Sequence, residues 1–308
     1  MSAKKDSRQA WDAFWEANTD ASGSARGGCL PDAWQGIDQV QTDVWSAFAN
    51  KLPRGVRVID LGTGDGRVMA KLLAARRDLK PVGIDQASEL PTPPRGAKVR
   101  AGVLMRDLPF PDEIFAAATS QFGFEYGDIA GAAAEVARVL KPGGIFGAIT
   151  HRTDSPILAH NRKRRQQIAW AIEEQDLPGI AKRSLQLRQM GIATVPPEVA
   201  TAPEEGARKF GPESAAWEIA EALRRTLHFG RNDPPAHTAA VIDQIVGQAQ
   251  NELGRIASLE MAAEAAGTGE KLVAVLEAAG LELSSSEELR DGAAATPFAT
   301  FLTLTKPE

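Results

Sequence analysis

The sequence holds a single cysteine, Cys29, among 308 residues. That excludes an internal disulfide framework and any metal site built from several thiolates. Long apolar runs are also missing. No stretch approaches the roughly eighteen uninterrupted apolar residues of a membrane span. The opening MSAKKDSRQAWDAFW lacks the apolar core of a secretory leader, so a cytoplasmic protein with no membrane partner is expected. No Gly-Lys-Ser/Thr phosphate loop is present. Lys+Arg total 35 against Asp+Glu 40, a formal net charge of −5 that argues against a bulk nucleic-acid binder. The hydrophobic fraction of 43% and charged fraction of 24% are ordinary for a folded chain of one large domain or two modest ones.

Hydrophobic periodicity divides the chain. Trp11, Phe14 and Trp15 share a helical face ahead of the Gly/Ser-rich residues 22–29, either as a docked helix or as a lid on a flexible connector. A second helix is expected over 35–50, with Ile37, Val40, Val44 and Phe48 on one face and Trp45 beside it. The period then changes. Short β-branched runs at 57–61, 81–85, 99–105, 114–120 and 145–151 alternate with helical spacing, as in a parallel sheet with crossover helices. From about 156 to 268 the pattern is helical, with segments at 157–177, 212–229 and 235–266 and an exposed connector over the Pro/Glu/Ala-rich residues 196–211. Helix-then-strand alternation resumes at 270, and 281–289 with 298–305 fit a closing hairpin. The expected division is N-terminal helices over 1–50, a core of 51–155 with 269–308, and a helical insertion over 156–268. That insertion would serve either as a roof over the sheet's carboxyl edge or as an arm for a homodimer.

The sharpest local signal is VIDLGTGDGR at 58–67. Gly62, Gly64 and Gly66 leave a strand and enter a helix, where absent Cβ atoms allow positive φ and close approach to a ligand. The spacing is G-x-G-x-G, not the dinucleotide G-x-G-x-x-G. An acid before the turn, Asp60, would repel a pyrophosphate but satisfy an ammonium. Asp85 ends the second strand about twenty residues on, where a carboxylate accepts both hydroxyls of a ribose. The chemistry favours a nucleoside with an amino-acid tail.

With GID at 83–85, LPFPDEIF at 108–115 and EVARVLKPGG at 135–144 in order after that turn, residues 40–152 resemble the class I S-adenosylmethionine-dependent methyltransferases, with a weaker match over 270–305. The resemblance implies an α/β, Rossmann-like, doubly wound seven-stranded sheet with a terminal antiparallel hairpin and a large helical insertion after strand 5. It implies S-adenosylmethionine as cofactor, with Gly62, Thr63, Gly64 and Gly66 along its methionine portion, Asp60 orienting the turn, and Asp85 with Gln86 at the ribose. Many relatives place an Asp four residues before the Leu of the LPF segment to read the adenine amino group. Here that position is Leu104, which leaves the adenine edge to backbone around Met105 and Arg106.

Acceptor groups are expected outside the carboxyl ends of the strands. Gln121 and Phe122, after the fourth strand, would border the methyl donor, with Phe124 on the acceptor side and Glu125 and Tyr126 either facing the acceptor or capping the next helix. His151, after the fifth strand, and His160, with Arg164 on the same helical face, are candidate bases and acceptor contacts, because imidazole titrates near neutrality. Each has a bland counterpart: His151 as a loop hydrogen-bonder, His160 as a helix-interface residue. His228 and His237 flank a turn. The basic run at 161–165 is a solvated helix face, a site for an anionic acceptor, or a nucleic-acid contact. Asp107, Asp112 and Asp128 form no convincing metal set, so no metal is expected. The reading that results is methyl transfer to oxygen or nitrogen of a small molecule. Its rivals are an RNA or protein methyltransferase and a non-catalytic cofactor-binding regulator.

Overall fold

The computed structural model describes residues 35–188, 191, 194–292 and 294–308. The aromatic trio at Trp11, Phe14 and Trp15 and the Gly/Ser-rich segment with Cys29 lie outside them. Among the described residues two compact units are present, one formed by 35–158 together with Ala257–Glu308, the other by Ala159–Ile256.

In the first unit, helix α1 (Gln35–Lys51) precedes β1 (Arg57–Leu61), α2 (Arg67–Ala75), β2 (Lys80–Ile84), β3 (Lys98–Arg100), β4 (Phe115–Gln121), α3 (Ile129–Val139) and β5 (Leu140–Thr150). After the second unit the chain returns as α9 (Glu270–Ala278), β6 (Glu282–Leu289) and β7 (Ala299–Thr305). The sheet order is β3-β2-β1-β4-β5-β7-β6, with β7 antiparallel to both of its neighbours. This is the expected doubly wound, seven-stranded, Rossmann-like sheet. Its central strands are buried on both faces, as parallel sheets covered by helices require. Ile59, Leu61, Phe115, Phe146 and Leu302 carry no more than traces of exposed surface. On one side Trp45 and Phe48 of α1 pack edge-to-face on Phe301 of β7.

Two strands differ from expectation. The third is only three residues long, because Gly102 turns at φ 71° and its N–H goes back to Ala87 O. The fifth begins earlier than expected, at Leu140: residues 141–144 bulge away from β4 while Gly143 and Gly144 pair with Lys306 beyond β7.

The second unit is helical. Helix α4 (Pro156–Ala169) enters it from the first unit and ends in a π-turn (Trp170–Glu174); α5 (Leu177–Leu187), α6 (Pro197–Phe210), α7 (Ala215–Phe229), and α8 (Pro235–Ala266), which leads back, complete it. The expected helix over 157–177 is therefore present and runs to Glu174 with its last turn in π geometry, whereas α5 was not foreseen. The expected connector at 196–211 is in fact α6. Its buried face is Val199, Ala202, Pro203 and Gly206, small residues that read as loop composition. A Cβ on Gly206 would lie 3.2 Å from the backbone of Ala216, so the missing side chain lets α6 approach α7. Among the described residues no helix is long and apolar enough to cross a membrane.

Candidate active site

The ends of β1, β2, β4 and β5 bring most of the sequence-derived groups of the first unit together. Hydrogen bonds pin the glycine turn to β2. Thr63 N–H donates to Ile84 O at 3.0 Å, and Gly64 N–H donates to Asp85 Oδ2 at 3.0 Å. Gly62, Gly64 and Gly66 all have positive φ, between 50° and 75°. A Cβ on Gly62 would lie 3.2 Å from Cα of Gly123, so the turns after β1 and β4 touch, backbone against backbone.

Asp60 is fully buried under this turn. Its Oδ2 accepts from Thr63 Oγ1 at 2.6 Å and its Oδ1 from Thr119 Oγ1 at 2.8 Å. Burial pushes its pKa up to about 7, with Asp65 and Asp85 adding repulsion. Asp60 therefore orients the turn from below through Thr63, and Thr119 is a partner that sequence reasoning missed. Asp85 is half-buried; Ala87 N–H donates to its other oxygen, Oδ1, at 3.0 Å. Its two oxygens are held side by side, as recognition of a vicinal diol requires. Gln86 follows it, half-buried. Of the acids about this turn, Asp65 is paired with Arg67 and Asp60 is buried beneath, so Asp85 is the carboxylate the turn presents.

The adenine-side segment is less built. Leu104 is exposed and its carbonyl accepts from Asp107 N–H. Met105 packs partly against the main core, while Arg106 is exposed and 3.9 Å from Asp128, which caps α3 through Gly131 N–H.

After β4 the chain makes a compact polar cluster with the end of β5. Phe122, at φ 52°, donates its N–H to Ile149 O, and its ring stacks on His151 at 4.4 Å. His151 Nε2 lies 3.2 Å from the hydroxyl of half-buried Tyr126. Glu125 Oε1 accepts from the His151 backbone N–H at 2.8 Å. Glu125 and His151 are both buried, and Glu125 Oε2 and His151 Nδ1 have no hydrogen-bond partner. Burial pushes the Glu125 pKa up to about 7 and the His151 pKa down to about 3, so the imidazole is neutral.

Two expectations change here, at Phe124 and Glu125. Phe124, placed on the acceptor side, is instead wholly buried in the core against Phe146. Glu125 turns inward to the backbone of β5. Gln121 commits its carboxamide to α1, accepting from Trp45 Nε1 at 2.7 Å and donating to Gln41 Oε1 at 3.2 Å. Gln41 and Trp45 were missed as polar partners; the available signal was a glutamine within the buried stripe of α1.

His160 and Arg164 lie in the second unit. His160 is exposed, and its pKa is lowered by partial burial and by Arg164 and Lys163. Arg164 pairs with Glu218 and Glu252 of α7 and α8, which neutralises it internally. His237 lies 3.5 Å from Asp233, and His228 packs edge-on against Phe229. Among the described residues no cluster of three or more His, Cys, Asp or Glu side chains could hold a metal.

Residues 59–148, which run from β1 into β5, match the family described as "Methyltransferase domain". That match spans the glycine turn, Asp85 and the two later segments on which the sequence resemblance rests. Among solved structures, the chain is similar to the 1,6-didemethyltoxoflavin-N1-methyltransferase of Burkholderia thailandensis, at 13% identity over 98% of this chain and 87% of that one, with a TM-score of 0.47. It is also similar to the geranyl diphosphate C-methyltransferase of Streptomyces coelicolor, at 10% identity over 100% of this chain and 99% of that one, with a TM-score of 0.46. At such identity neither says what this chain acts on. No protein of curated function matches it.

Proposed function

We propose that this methyltransferase domain transfers a methyl group from S-adenosylmethionine to an oxygen or nitrogen atom of a small molecule. When bound, the cofactor supplies a sulfonium methyl already activated for in-line displacement. The acid-lined glycine turn fits it: Asp85 would hold the ribose hydroxyls, the backbone at Gly62 and Gly64 would lie along the amino-acid tail, and Asp60 would keep the turn in place. Adenine would rest against Leu104 and Met105.

The observation that carries the acceptor side of this reading is the His151–Tyr126 pair. An acceptor bearing O–H or N–H must lose a proton during methylation, and the pair offers a route for it. Tyr126 is half-buried where His151 is buried, so Tyr126 is the member that meets the acceptor. Its Oη would take the acceptor's proton while its own proton passes to Nε2 of His151. Burial keeps the imidazole neutral and makes the imidazolium costly, so the proton is held at Nε2 only in passing and returns through Tyr126, the more exposed member of the pair, to water. The stacked Phe122 ring and the Glu125 bond to the His151 backbone hold the imidazole in place. Internal pairing of Arg164 with Glu218 and Glu252 weakens the basic run as a polymer-binding surface, which supports a small acceptor. His160 then serves its own helix rather than the proton transfer.

The test is methyl transfer from labelled S-adenosylmethionine to fractionated metabolites, RNA and protein. Label is expected in the small-molecule fraction. Label confined to RNA or protein would overturn the acceptor class, and binding of neither S-adenosylmethionine nor S-adenosylhomocysteine would overturn the cofactor.

A further inference from the structure

An indole N–H can only donate. Trp45 Nε1 reaches Gln121 Oε1 at 2.7 Å, so that atom is the carbonyl oxygen and the amide's orientation is fixed. Gln121 Nε2 must then donate, and its acceptor is Gln41 Oε1 at 3.2 Å. The polarity passes along the chain, Trp45 to Gln121 to Gln41, and leaves the two N–H groups of Gln41 Nε2 at its end. Gln41 is fully buried, and Nε2 has no hydrogen-bond partner. A buried amide donor without an acceptor costs about 1–3 kcal/mol, and native proteins rarely keep one without a use.

Its place is informative. Gln121 is the last residue of β4, and two residues later Gly123 lies against Gly62 of the glycine turn. Gln41 therefore ends its donor chain at the carboxyl edge of the sheet, where open α/β sheets take ligands. The charged groups packed nearby do not serve an anion. Lys71 on α2 is held by Asp38 and Thr42 of α1, Arg67 is held by Asp65, and the turn also carries Asp60 and Asp85. Those carboxyl groups suit an ammonium, a sulfonium and hydroxyls. A carboxylate in the same crevice needs neutral N–H donors, and Gln41 has two.

We propose that Gln41 binds the carboxylate of the cofactor's amino-acid tail, closing the hydrogen-bond chain that begins at Trp45. The inference rests on the S-adenosylmethionine reading above and assigns a binding role to α1.

Calorimetry with two probes separates the claims. S-adenosylhomocysteine carries the tail; 5′-methylthioadenosine is the same nucleoside thioether without it. Gln41→Glu keeps an oxygen for Gln121 and replaces the donor with a second oxygen. Gln41→Leu removes both. Each variant is expected to weaken S-adenosylhomocysteine about tenfold or more, leaving methylthioadenosine within about twofold. Equal effects on both probes, or none, would overturn the proposal. In the unmodified protein, the Gln41 side-chain amide resonances should shift with S-adenosylhomocysteine and stay with methylthioadenosine. Unmoved resonances would overturn it without any variant, and would mean that the amide is served by a buried water. Failure of the unmodified protein to bind either probe is a different result, the loss of the cofactor reading itself.

Discussion

The rings of Phe122 and His151 lie 4.4 Å apart and within 16° of parallel, and Phe122 holds this stack from a left-handed backbone at φ 52°. A side chain that keeps such a conformation gives up about 1–2 kcal/mol of backbone strain. The stack must compensate, and that makes the residue's replacement order unusual. Phe122→Ala loses the ring and keeps the strain. Phe122→Gly loses the ring and relieves it. Chemical denaturation should therefore find the glycine variant more stable than the alanine variant by about 1 kcal/mol, the reverse of the usual order. Alanine equal to or above glycine would show that the strain is absent.

Tyr126→Phe removes the hydroxyl that faces His151 Nε2 and leaves the packing. Turnover on the true acceptor should fall by about 100-fold or more, the ordinary worth of a positioned proton acceptor. Affinity for S-adenosylhomocysteine should stay within about twofold. A variant with normal turnover would remove the pair from the reaction.

Asp85→Ala should weaken S-adenosylhomocysteine by about 2 kcal/mol, roughly 30-fold, through loss of hydrogen bonds to a charged acceptor. The same substitution frees Gly64 N–H, so part of the loss comes from the turn. Unchanged affinity by calorimetry would displace the ribose from this position.

Burial sets the sign of a pH effect at Asp60. Its pKa is about 7 in the folded protein against 3.8 ordinarily, so folding takes up a proton between those values. Stability is present below about pH 4 and is lost as pH rises to 7. Glu125, raised to about 7, acts in the same direction. His151, lowered to about 3, acts oppositely, adding stability as pH rises from 3 to 6.5. Asp60→Asn isolates the first effect. Relative to the unmodified protein, its stability should improve from pH 5 to pH 8 by on the order of 2 kcal/mol. A pH-independent difference in melting temperature would show that Asp60 is ionised in the fold.

The sheet was legible because its strands are short β-branched runs with glycine or proline at their ends, and because Gly62, Gly64 and Gly66 punctuate one turn. Asp60 and Asp85 were legible as acids at strand ends, but Thr119, Asp60's partner, is 59 residues away and no local pattern links them. Phe124 misled because it sits among the exposed groups of the β4 loop in sequence while its ring turns into the core. Helix α6 was hidden by composition: Pro203 and Gly206 are helix-breakers by propensity, and only packing on α7 explains them. Gln41 was overlooked for a similar reason, since periodicity scores a buried stripe and passes over the one polar residue within it.

Strand β7 comes late in the chain yet lies inside the sheet, between β5 and β6, and it carries the Phe301 ring on which Trp45 and Phe48 rest. During synthesis, α1 therefore emerges long before the surface that completes its packing. The early part of the sheet must wait with an open β5 edge and uncovered aromatic rings while the helical unit is made. Closure of this sheet is a late, all-at-once event, and a ribosome-stalled chain halted before residue 299 should expose that edge to chaperones.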